Sequence, residues 1–107
     1  MKLLRWTPLA LALALLAGAG TASAQDTPDP NLARNLAATC AGCHGTGGRT
    51  VPGSAVEPLA GTDSAVLMQK LRDFRSGAKP ATIMHQISKG YSEAQLELIA
   101  AYFAARK

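Results

Sequence analysis

Cysteine is scarce in this chain of 107 residues: there are two, Cys40 and Cys43, confined to one stretch of four positions. No thiol is left over for a disulfide framework, although an exported protein could carry one. Histidine is equally sparse. With only His44 and His85, the second of them far from any other cysteine pair, the four ligands of a structural zinc site are hard to assemble. Aromatic residues amount to one Trp, two Tyr and two Phe, and lysine and arginine form no cluster, which argues against a nucleic-acid surface built from basic patches and stacking platforms. No alternating run suggests a strand and no internal repeat is present, so the chain is expected to be all-α.

The N-terminus has the layout of a secretory signal: Lys2 and Arg5, an apolar run from Pro8 to Ala19, then Ala22-Ser23-Ala24 as an A-x-A cleavage site. Cleavage before Gln25 divides the chain into a signal at 1–24 and one small domain at 25–107, placed in the periplasm. The alternative is an uncleaved membrane anchor, for which the run is short against the about 20 apolar residues that a span needs. Removing Lys2 and Arg5 leaves nine basic and seven acidic residues, a net charge of +2. No strongly charged partner is implied.

What is present is Cys40-Ala41-Gly42-Cys43-His44. C-x-x-C-H is the attachment signature of c-type haem, in which each sulfur adds to a vinyl group and the imidazole ligates the iron. On a helical turn, residues three and four apart share a face, so both thiols and the ring can point at one porphyrin. A redox dithiol, half of a zinc site and a plain disulfide are the alternatives; a thioredoxin-like dithiol would want a βαβ surround that the sequence lacks. The 83 residues left after cleavage lie near the limit at which side chains alone make an adequate core. A covalently held haem would supply much of the missing interior.

The remaining segments arrange themselves around that motif. Asp29 and Pro30 suggest an N-cap and first helical residue for a helix running to about Thr39, with Leu32 and Leu36 on one face. Gly45 to Gly61 holds five glycines and two prolines and is expected to be a loop over the histidine side of the haem. It is not a phosphate loop, having no G-x-x-x-x-G-K-[ST] pattern and Arg49 as its single cation. A ligating histidine donates its second ring N–H to a carbonyl, and the acceptor is expected around Glu57 or Pro58. Asp63 caps a helix from Ser64 to about Ser76 that stops at Gly77, with Val66, Leu67, Leu71 and Phe74 as its buried stripe. After the Lys79-Pro80 break, Ala81 to Lys89 is a short helical or irregular segment ending at Gly90. Ser92 and Gln95 form a capping box for a last helix to about Arg106, whose Leu96, Ile99, Ala100 and Phe103 should pack on the first.

A second axial ligand has few candidates. An iron that only passes electrons needs both axial positions filled, and a methionine sulfur raises the reduction potential. Met68 lies in the long amphipathic helix, where packing is its expected role. Met84 follows a proline break, where the backbone can turn its side chain to the iron; core packing of Met84 and ligation by His85 are the alternatives. Arg49 and Arg75 are candidate partners for haem propionates, or merely solvated cations.

With these residues in view the chain resembles the small class I cytochromes c of bacterial periplasms. The likeness is carried by the attachment motif, by Thr82-Ile83-Met84 with Ser88-Lys89-Gly90-Tyr91-Ser92, and by Ala100-Ala101-Tyr102-Phe103. The C-terminal part is similar to the haem subunit of flavocytochrome c sulfide dehydrogenase and to monohaem and dihaem electron carriers. The resemblance implies about four helices around one covalently bound haem c, the terminal helices crossing beside it, with His44 and Met84 as axial ligands. It implies reversible one-electron transfer and no catalysis by the chain alone. Expected partners are a membrane oxidase or reductase complex, or a flavoprotein that oxidises sulfide. Family members commonly place a proline where this chain has Glu57, with Pro58 one residue later.

Overall fold

The computed structural model describes residues 28–107. The signal sequence read at 1–24 lies outside them. Five α-helices and one 3-10 turn follow in order: α1 Leu32–Ala38, α2 Ala41–His44, the turn Thr46–Gly48, α3 Ser64–Ser76, α4 Met84–Lys89 and α5 Glu93–Ala104. Among the described residues there is no strand, so the chain is all-α as its patterning indicates. Nor is any described helix long and apolar enough to cross a membrane.

The first helix starts later than expected. Asp29 is not its cap: the Asp29 side chain accepts the Asn31 N–H at 2.8 Å and its carbonyl accepts the Leu32 N–H at 3.0 Å, closing a turn over Pro30. Asn31 takes the N-cap position, and the helix ends at Ala38 with Thr39 as C-cap. An aspartate that can fold its carboxylate back on its own backbone two residues on favours such a turn over a cap.

α3 is bounded as its sequence indicates. The Asp63 carboxylate accepts the N–H groups of Ala65 and Val66 at 2.9 and 3.2 Å, and Gly77 terminates it at φ +84°. Its buried stripe is shifted from expectation. Leu67 and Met68 are buried with Leu71 packed beside them, whereas Val66 is 46% exposed. At about 100° per residue, Val66 falls on the side of Leu67 away from Met68, and the face that meets α5 is set by Leu67, Met68 and Leu71.

α5 carries the capping box: the Gln95 N–H donates to Ser92 Oγ at 3.2 Å, and the Ser92 N–H donates to Gln95 Oε1 at 2.9 Å. The helix ends at Ala104, where the chain turns and the Arg106 guanidinium lies 3.9 Å over the Tyr102 ring. All four positions expected to be inward, Leu96, Ile99, Ala100 and Phe103, are buried. They pack on α1, where Ala37 is the buried residue, and on α3. Alanines at 37 and 100 leave room for helices to approach closely, and α4 in turn packs on α3.

Candidate functional site

The attachment motif occupies a single helical turn. The carbonyl of Cys40 accepts the N–H groups of Cys43 and His44 at 3.3 and 2.9 Å, which sets Cys43 and His44 one turn above Cys40. Gly45 ends the turn at φ +82° and ψ 159°, a conformation open in practice only to glycine. From there the chain folds back so tightly that a Cβ at this position would overlap the carbonyl of Arg49.

Cys40, Cys43 and His44 line a cavity of about 690 Å³, and Met84 at the start of α4 lines the same cavity. The rest of the wall is largely apolar, with Leu59, Leu67, Leu71, Phe74, Ile99 and Phe103 toward the core and Ile83 and Ile87 exposed. Met68, 6% exposed, belongs to the core and is not on the wall. Neither is His85, whose Nδ1 is buried without a hydrogen-bond partner among the described residues. Of the two methionines expected to remain after cleavage, only Met84 reaches the site.

His44 is oriented by the loop. Its Nδ1 lies 2.7 Å from the carbonyl oxygen of Glu57, which can only accept, so Nδ1 carries the proton and the lone pair is left on Nε2. The acceptor is therefore Glu57, the residue standing where proline is usual in the resembling family. The loop is tied down further along: the N–H groups of Leu59 and Ala60 donate to the Gly48 carbonyl at 2.9 and 3.1 Å, and that of Gly61 to Phe103 at 3.0 Å. The Glu57 carboxylate pairs with Lys70, whose hydrogen bond holds the carboxyl below its usual range.

The surroundings of Cys40 do not suit a reactive thiol. Burial pushes the Cys40 thiol up, opposed by a hydrogen bond with Thr39, whereas a redox-active cysteine needs its thiolate favoured. Among the described residues no three His, Cys, Asp or Glu side chains stand close enough together to hold a metal ion between them, so the four ligands of a structural zinc are not assembled there. The two arginines considered for propionates are engaged elsewhere. Arg49 Nε donates to the Lys107 carbonyl at 2.9 Å, and Arg75 shares Glu93 with Arg72. The cation on the cavity wall is Lys70.

Two further residues act through hydrogen bonds that no sequence pattern assigns to them. The Ser88 hydroxyl, fully buried, donates to the Met84 carbonyl at 2.6 Å and so braces the turn that carries the thioether. Thr39 donates to the Leu36 carbonyl at 3.0 Å and accepts from Tyr91 at 2.6 Å, joining the cysteine side of the cavity to the segment after α4. Tyr91→Phe should lower stability by about 1 kcal/mol, the usual net worth of one hydrogen bond. Urea unfolding would measure it as a lower midpoint at unchanged slope.

The C-x-x-C-H turn of this helical domain faces an apolar cavity, and the residues present fit a haem: thiols and an imidazole nitrogen beside an apolar chamber. No protein-family model matches the chain. Among curated proteins it is 37% identical over 68 residues to the cytochrome subunit of sulfide dehydrogenase of Chlorobaculum tepidum, covering 64% of this chain and 60% of that one. It is 35% identical to the thiosulfate dehydrogenase electron acceptor of Stutzerimonas stutzeri, across 98% of this chain and 49% of the relative. Cytochrome c4 of Pseudomonas aeruginosa is 34% identical over 71 residues, 66% of this chain and 35% of the relative. The chain thus spans between about a third and three-fifths of the length of these relatives. The chain resembles c-type cytochromes, and its fold is consistent with that of the small class I members.

Proposed function

We propose that this chain is a periplasmic one-electron carrier holding a single haem c, bonded through Cys40 and Cys43 and ligated by His44 and Met84. Residues 1–24 are its secretory signal in this reading. The observation that carries it is the convergence of both thiols, the oriented imidazole and one thioether on the same apolar cavity. Haem, when bound, supplies an iron that cycles between ferrous and ferric states.

The chain's own residues do the rest. Donation of the Nδ1–H to Glu57 commits Nε2 to the metal and raises its basicity. The Met84 thioether, as a ligand, would favour ferrous iron and deny oxygen and peroxide a place on it, which suits a carrier rather than an enzyme. The leucines, isoleucines and phenylalanines of the wall keep water from the iron.

Intact-mass measurement of the exported protein, made in a host able to attach haem, tests the whole reading. The expected product begins at Gln25, is heavier by one haem, and keeps its haem absorbance after denaturation; unmodified thiols would overturn it.

A second reading is favoured by one relative, itself a cytochrome subunit of sulfide dehydrogenase. The chain would then receive electrons from a flavoprotein subunit and have no turnover alone. The free carrier predicts a monomer that purifies without flavin. The subunit predicts that a flavin-containing chain comes with it.

A further inference from the structure

The peptide that faces the His44 ring N–H has a second attachment. Glu57 accepts the hydrogen bond of that N–H on its backbone oxygen, while its side-chain carboxylate is held by Lys70 of α3. Pro58 follows, which keeps Glu57 out of the helical region and supplies no N–H of its own. One residue later the Leu59 N–H is fixed on Gly48. Toward the N-terminal side the chain from Val51 to Ser54 is exposed and is held by local turn bonds, Ser54 N–H to Val51 and Val56 N–H to Ser54 Oγ. The Glu57 side chain is thus what ties this peptide to a long helix, α3, whose own Leu67 and Met68 are core residues.

We propose that Lys70 and Glu57 form a clamp that positions His44: α3 holds the loop through the Lys70–Glu57 ion pair so that the Glu57 carbonyl stays on the imidazole Nδ1–H. Its consequence for the reduction potential rests on the proposed role of His44 as the iron ligand. Loosening the clamp weakens the hydrogen bond, lowers the basicity of Nε2 and so raises the reduction potential. The bare charges act differently. Losing the cation of Lys70 beside the cavity disfavours ferrous iron and lowers the potential, whereas losing the anion of Glu57 raises it. A purely Coulombic pair therefore moves the potential in opposite directions in the two single variants and leaves the imidazole proton undisturbed.

The test uses the holoprotein and the variants Lys70→Met, Glu57→Gln and Lys70→Arg, with exchange of the His44 Nδ1–H followed by NMR in the reduced state. Both neutral variants should speed that exchange about two- to fivefold, the scale on which a partly exposed ion pair restrains a loop, while Lys70→Arg keeps the wild-type rate. Backbone amides of α3 and α5 should exchange as before, which separates loss of the clamp from loss of stability. Unchanged Nδ1–H exchange in both neutral variants would overturn the proposal, whatever the potentials do. If the His44 ring protons of the wild type lack the large ring-current shift of a haem-bound imidazole, it is the ligand assignment that fails, and the exchange rates still decide the clamp.

Discussion

Replacing Met84 with alanine should abolish the sulfur-to-iron charge-transfer band of the oxidised protein and let the reduced protein bind carbon monoxide rapidly. Both effects follow because neither Met68 nor His85 can take the place of Met84 on the cavity wall. Met68 is packed in the core, and His85 is not on the cavity wall. With the thioether gone, ferric iron is relatively favoured, and the reduction potential should fall on the order of 0.1 V, a modest part of the about 0.8 V that axial ligands command. Absorbance and voltammetry read both quantities on the same sample. A retained band would assign the sixth position to another residue.

Gly45→Ala should be severely destabilising, costing about 3–5 kcal/mol from backbone strain and steric overlap together. Its backbone lies in a region that side chains avoid, and the added Cβ would meet the Arg49 carbonyl, which no rotamer change can move aside. A domain of this size has a total stability of about 5–10 kcal/mol, so the variant should be half unfolded or worse under mild denaturant. Because Gly45 directly follows His44, the residual folded fraction should also show a disturbed ligand field. Circular dichroism through a urea series, with the haem spectrum recorded alongside, measures the two effects.

Much of the fold was readable because its signals are local. Asp63 and Gly77 bound α3, and Ser92 with Gln95 opens α5, because caps act within three or four residues of chain. The inward positions of α5 were legible from one period. Asp29 has the sequence signal of a cap yet closes a turn, because an aspartate before Pro-Asn can do either, and the choice depends on where the following turns begin. Val66 was assigned to a buried stripe on spacing alone, but which 100° of an amphipathic helix is covered depends on the partner helix.

The site divides in the same way. That Cys40, Cys43 and His44 share a face follows from their spacing, because a helical turn brings residues three and four apart together wherever it occurs. By itself, then, the sequence determined that two thiols and an imidazole share one helical face, and which helices frame them. Only the tertiary structure decided that Glu57 is the carbonyl meeting His44, that Lys70 reaches the cavity wall while Arg49 and Arg75 do not, and that Met84 comes to the cavity where His85 does not. Those outcomes turn on how a glycine-rich loop and a six-residue helix close over a helical core, and contacts between residues far apart in the chain are set by packing rather than by period.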